Sequence, residues 1–156
     1  MSINVKLVDK LMELDYKIST AESCTGGLLA SKIVEVSNAS KVFDMSFVTY
    51  SNESKVELLG VNEETINKFG VVSEEVAKEM ACGVRDKSKA TVGVGISGIA
   101  GPTGETATKP IGMVCFGFNV NGSITGVTKY FGNIGRNNVR EKSALFAMEY
   151  LINILG

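Results

Sequence analysis

Apolar residues recur at helical spacing almost from the start of the chain. Val5, Val8, Leu11 and Met12 share one face, which predicts an amphipathic helix over residues 3–14. Residues 17–21 read as a short strand that runs into Glu-Ser-Cys-Thr-Gly-Gly. Beyond Gly26 and Gly27 the helical period returns, with Leu28, Leu29, Ile33 and Val36 on one side of a second helix. SFVTY (46–50) has the composition of a strand. The next stretch, SNESKVELLG, predicts a short helix with Ser51 as N-cap and Gly60 as its stop. NEETINKF (62–69) predicts another. A longer helix is expected after Ser73, with Glu74 and Glu75 at the positive end of its dipole and Val76, Met80 and Val84 on its buried side.

The pattern then changes. ATVGVGIS (90–97) is an almost unbroken run of small apolar residues, which suits a central strand covered on both faces. Both prolines, Pro102 and Pro110, fall in the loop after it. IGMVCFGFNV and SITGVTKYF flank Asn121-Gly122, a strong hairpin signal. Leu145, Met148, Ile152 and Leu155 predict a long C-terminal helix. Helices alternating with strands and ending in one hairpin imply an α/β fold: a three-layer α/β/α sandwich with a mixed sheet of about five strands. No repeat, low-complexity tract or linker interrupts residues 1–156, so one domain is expected.

Composition narrows the function more than the fold. The chain is 44% hydrophobic and 21% charged, the balance of a soluble globular protein. Its 16 basic and 17 acidic residues leave a net charge of -1, which argues against a nucleic-acid partner. No apolar run approaches a membrane span, and the N-terminus has no signal-peptide core. Cys24, Cys82 and Cys115 are odd in number and show no metal-ligand spacing, so a reduced, cytoplasmic protein is expected. The chain has no histidine. Serine-histidine and cysteine-histidine catalysis are thereby excluded, and a general base has to be Asp, Glu, Lys, Tyr or Cys.

Ligands of open α/β sheets sit beyond the carboxyl ends of the strands. Three such ends stand out: ESCTGG, TYSNESK and SGIAGPTGE, and all three are expected to meet in one crevice. In the first, Ser23 and Thr25 are candidates to cap the second helix, and Glu22 to neutralise Lys55 or hold a ligand donor. Cys24 would need a depressed pKa, supplied by Lys55 or a helix N-terminus. In the second, Lys55 lies in the first turns of a helix, where the dipole disfavours its charge; burial would turn it into a base. Serine plus lysine is the most economical nucleophile–base pair open to a chain without histidine. GVGISG (93–98) fits G-x-G-x-x-G, but Gly93 and Gly95 lie inside the strand, where close helix packing explains them better than a dinucleotide. Gly98, Gly101 and Gly104, with Ser97 and Thr103, form a loop able to present N–H groups to an anion. Arg136 and Arg140, four apart on one helix face, offer two forks for a phosphate monoester.

TAESCTGGLLA, FVTYSNESKVELLGV, GVVSEEVAKEMACGVR, GISGIAGP and KPIGMVCFGF, in this order and spacing, resemble the C-terminal domain of the competence/damage-inducible protein CinA. The stand-alone form of that domain is the PncC-type nicotinamide-nucleotide amidase. The likeness runs from about residue 5 to residue 155. It implies hydrolysis of the carboxamide of nicotinamide mononucleotide (NMN), without a metal or cofactor, by a protein that forms homodimers. Matched motif by motif, it assigns the nucleophile to Ser23 and acid–base help to Lys55 and Tyr50. It implies substrate contacts from Glu22, Cys24, Thr25, Gly26 and Gly27, from Ser97, Gly98, Ala100 and Gly101, and from Arg136 or Arg140. Two departures stand out. Thr103-Gly104-Glu105-Thr106 replaces the Asp and paired glycines that often follow SGIAGP. Larger members also carry an N-terminal domain not found here, so the stand-alone form is expected. Two other classes stay open at this point: a module that binds a pyridine nucleotide without turnover, and an interaction protein of DNA uptake or damage response.

Overall fold

The computed structural model describes residues 1–156. Its elements run α1 (Ile3–Leu14), β1 (Ile18–Glu22), α2 (Leu28–Val34), β2 (Phe43–Val48), α3 (Asn52–Leu59), α4 (Glu63–Phe69), α5 (Glu74–Lys87), β3 (Val92–Gly98), β4 (Met113–Val120), β5 (Ser123–Tyr130) and α6 (Arg136–Leu155). The five strands form one mixed sheet in the order β2-β1-β3-β4-β5. β1 is parallel to both β2 and β3, while β4 and β5 are antiparallel additions. Asn121 and Gly122 both take positive φ (53° and 92°) and close the β4–β5 hairpin, as the twist of the two strands requires. No helix is long and apolar enough to cross a membrane.

The two faces of the sheet are built differently. On one, Val92, Val94 and Ile96 of β3 and Val114, Phe116 and Phe118 of β4 pack against Leu7, Leu11, Leu29, Ile33 and Leu151 from α1, α2 and α6. Phe146 and Tyr150 of α6 lie 4.7 and 4.5 Å, centroid to centroid, from Phe116 and Phe118. On the other, α5 lies almost on the backbone of the sheet. Gly95 of β3 stands opposite Gly117 of β4, and a Cβ on either would collide with the carbonyl of Ala77. Gly93, whose Cβ would meet the Ala81 carbonyl, and Gly95 therefore seat a helix, as the packing argument expects.

Local signals are the ones the structure follows most closely. Ser51 and Ser73 cap α3 and α5, accepting from the backbone N–H groups of Ser54 and Val76, and Gly60 ends α3 in the left-handed conformation. Three expectations shift. β2 runs over Phe43–Val48 and not 46–50: it starts earlier, across an irregularity in its pairing opposite Ile18–Thr20, where Asp44 takes the Lys89 N–H. Met12 is 40% exposed, and Leu7 is buried with Val8 and Leu11 instead. Leu145 is 42% exposed, and α6 turns Val139, Ser143, Ala144, Ala147, Met148 and Leu151 inward. Small residues bring that helix close to its neighbours, and a reading weighted by large side chains passes over them.

Candidate active site

β2, β1 and β3 lie side by side and parallel, so their carboxyl ends open at the same edge. Backbone bonds extend the register past the strands: Thr49 N–H donates to Glu22 O, and Ser23 N–H to Ile96 O. The chain then turns sharply through Gly26 and Gly27, at φ of 58° and 96°. Such left-handed values favour glycine at both positions.

Glu22, at the end of β1, organises this turn from below. Its carboxylate is fully buried and accepts from Thr20 Oγ1 (2.9 Å), Thr25 Oγ1 (2.7 Å), Leu29 N–H (2.9 Å) and Ala30 N–H (2.9 Å). It therefore satisfies the first donors of α2 itself. That corrects the expectation that Ser23 or Thr25 caps the helix: Gly27 occupies the cap position without a side-chain bond, and the acceptor reaches across the glycine turn. Nor does Glu22 pair with Lys55 or face a ligand. A glutamine in its place would point an amide N–H2 at groups that themselves donate. Glu22→Gln should cost about 2–4 kcal/mol and lower the thermal midpoint by roughly 5–15 °C. A midpoint within about 2 °C of wild type would show that the carboxylate does not hold the turn.

Above the turn lies a crevice of about 190 Å³. Ser23, Cys24, Tyr50, Lys55, Ser97, Gly98, Ala100 and Arg136 line it, joined by Asn52, Val71 and Val72. The three strand ends thus meet in one place. Asn52 and the two valines were not singled out from the sequence, although Asn52 lies within TYSNESK and the valines open GVVSEE. Ser97 Oγ donates to Val71 O at 2.8 Å and fixes that wall. Thr25, Gly26, Gly27, Gly101 and Arg140, expected at the ligand, do not line the crevice. They shape or brace its rim. A larger groove between α1, α2 and α6 is lined by Ile3, Ala144, Leu145 and Met148 among others, and holds no serine, threonine or cysteine.

Lys55 is the centre of the arrangement. It is only 1% exposed, and its Nζ lies 3.0 Å from Ser23 Oγ, 2.7 Å from Thr49 O and 3.4 Å from Tyr50 O. Burial pulls its pKa down to about 8, since the charged ammonium loses its water. A neutral amine has two N–H groups and one lone pair. With the two carbonyls taking the hydrogens, the lone pair is left for the Ser23 hydroxyl. Lys55 reaches Ser23 without an intermediary, while the Tyr50 hydroxyl accepts from Arg136.

Cys24 stands in contrast to its neighbour. Burial, with the Glu22 charge adding to it, pushes its thiol up to about 12. A thiol so held stays protonated, and the side chain belongs to the hydrophobic core. The expected route to a low pKa through Lys55 is overridden by desolvation.

The two arginines separate. Arg136 Nη1 donates to Gly101 O (2.8 Å) and Nη2 to the Tyr50 hydroxyl (2.7 Å), so it spans the mouth of the crevice. Tyr50 is 62% exposed there. Arg140 turns away: Nε donates to Cys24 O (3.1 Å), Nη2 to Thr25 O (3.0 Å) and Nη1 to Asn137 Oδ1 (3.1 Å). Of the two candidates for a phosphate, only Arg136 faces the cavity.

A family model described as the CinA C-terminal domain matches residues 1–155. A CinA-like protein of Kosmotoga olearia is 49% identical over 150 residues, covering 96% of this chain and 36% of that relative. A putative competence-damage inducible protein of Caldicellulosiruptor saccharolyticus is 46% identical over 145 residues, covering 93% and 35%. The chain thus spans about a third of the length of the curated relatives it matches. Among solved structures, the competence/damage inducible protein CihA from Agrobacterium tumefaciens superposes with a TM-score of 0.95 at 39% identity, covering 99% of this chain and 94% of that one. A competence or damage-inducible protein from Enterobacter asburiae gives 0.95 at 36%, covering 99% and 96%.

Proposed function

The chain belongs to the CinA C-terminal domain family, and on that premise we propose that it hydrolyses the carboxamide of NMN to nicotinate mononucleotide and ammonia. The observation that carries this reading is Ser23 Oγ 3.0 Å from the nitrogen of a buried lysine, in a chain without histidine.

Neutral Lys55 takes the proton of Ser23 as Oγ bonds to the amide carbon, and the carbonyl electrons move onto oxygen. Collapse of that adduct expels the amine, which leaves as ammonia with the proton from Lys55. A nicotinoyl ester on Ser23 remains. Water, deprotonated by Lys55, then cleaves the ester, giving the acid and restoring the serine. The pyridinium charge of NMN makes its carboxamide carbon electrophilic, which suits a base of only moderate strength. Arg136 at the mouth is the donor for the substrate phosphate, and the exposed Tyr50 ring beside it offers a face to the cationic pyridinium. Val71 and Val72 supply the apolar wall.

The reading makes a signed prediction about pH. Only the neutral form of Lys55 accepts a proton. With its pKa at about 8, roughly 10% is neutral at pH 7. Initial rates of ammonia release at subsaturating NMN should therefore rise about tenfold per pH unit below that value and level off above it. A rate that is flat or falls between about pH 6 and 9 would remove Lys55 as the base.

A further inference from the structure

Arg140 is built into the nucleophile turn from the far end of the chain, and the reaction above gives it no part. Three successive carbonyls of that turn are held. Gly26 N–H donates to Ser23 O at 3.0 Å, while Arg140 donates to Cys24 O and Thr25 O. A trans peptide is planar, with its C=O and N–H pointing opposite ways. Fixing Ser23 O and Cys24 O therefore also fixes the directions of the Cys24 and Thr25 N–H groups. Neither N–H meets a carbonyl or side-chain acceptor from another residue. Cys24 lines the crevice next to Ser23, and Thr25 is buried behind it.

We infer that Arg140 is a positioning residue for the oxyanion: it grips the Cys24 and Thr25 carbonyls and so holds the turn in which the Cys24 N–H stands ready for the oxygen that becomes negative when Ser23 attacks. The inference rests on the proposed amidase reading and extends it. Donors fixed in advance need no reorganisation as charge develops, which is where such a site gains its rate. Asn137, one turn earlier on α6, takes the remaining fork nitrogen and keeps the guanidinium in plane with the turn. Gly26 belongs to the same device: a Cβ there would lie 3.6 Å from Arg140 Nη2, on a backbone at φ 58°.

Two readouts on the full chain test this. One is steady-state ammonia release from NMN. The other is the rate at which a fluorophosphonate phosphonylates Ser23, forming the Oγ–P bond, expelling fluoride and passing the serine proton to Lys55. That second reaction also places a developing negative oxygen in the hole but needs no pyridine nucleotide. Arg140→Ala should lower kcat roughly 10²-fold with KM changed less than about threefold, and phosphonylation should slow in step. Arg140→Lys, which keeps one charged donor, should recover part of both. Arg136→Ala should instead raise KM. If Arg140→Ala melts below the assay temperature, Arg140→Lys carries the test, with both rates expected to fall about tenfold. Wild-type phosphonylation in Arg140→Ala, or a raised KM with kcat intact, would overturn the inference. A wild-type protein that neither releases ammonia nor labels at Ser23 fails at the amidase reading itself, and the role of Arg140 falls with it.

Discussion

Replacing Lys55 with methionine is expected to lower kcat/KM for NMN by roughly 10³-fold or more, in the middle to upper part of the range for a positioned acid–base group. Lys55 serves twice in the proposed reaction, as base for the attack and as acid for the departing amine. Methionine fills a similar volume without a lone pair that can take a proton. The same variant should not melt earlier than wild type at pH 7, because burial of an ammonium is an unfavourable term that it removes. The pH dependence of that difference has a definite sign. The lysine pKa is lowered from 10.5 to about 8 on folding, so between these values the unfolded chain binds more protons than the folded one. Wild-type stability from this group is therefore poorest below about pH 8 and recovers as pH rises towards 10.5. Thermal melts should show any advantage of Lys55→Met shrinking across that window. An advantage that grows with pH, or a variant that keeps more than about a tenth of wild-type kcat/KM, would contradict the role given to Lys55.

The largest effect is expected at Ser23. Ser23→Ala removes the hydroxyl that is hydrogen-bonded to Lys55, and activity should fall by roughly 10⁴–10⁶-fold, as in other covalent hydrolases stripped of their serine. Cys24→Ala should behave quite differently. Its thiol is held protonated by burial and its side chain packs in the core, so the change should cost about 1 kcal/mol of stability and less than tenfold in rate. The two substitutions are adjacent and comparable in size, and only the direction each side chain takes separates them. Loss of activity in Cys24→Ala with retention in Ser23→Ala would reverse the assignment of the nucleophile.

Much of the fold is written in short-range signals. The caps Ser51 and Ser73, the stop at Gly60 and the Asn121-Gly122 turn each act within four residues, and each is where the local pattern puts it. The convergence of three strand ends on one crevice follows from parallel pairing, which alternation of helices and strands already implies. What could not be read is what depends on partners far along the chain. Glu22 caps a helix seven residues on only because two left-handed glycines bend the chain back over it. Arg136 and Arg140 lie on one helix face and look alike in sequence. One crosses the crevice mouth and the other grips a turn 115 residues away. Ala144, Ala147 and Ser143 are inside α6 because that helix packs closely, while Leu145 is outside. Burial also decided the chemistry of neighbours: it lowers the lysine and raises the cysteine, and neither effect has a signature in spacing alone.

The account turns on a serine that releases ammonia from a nucleotide amide. Its most direct test is to incubate the purified protein with NMN at about pH 8.5, above the lysine pKa of about 8, and measure ammonia and nicotinate mononucleotide together, with Ser23→Ala run in parallel. The expected result is equimolar ammonia and acid from wild type and none above blank from the variant. Saturable NMN binding with no ammonia formed, or undiminished release by Ser23→Ala, would contradict it.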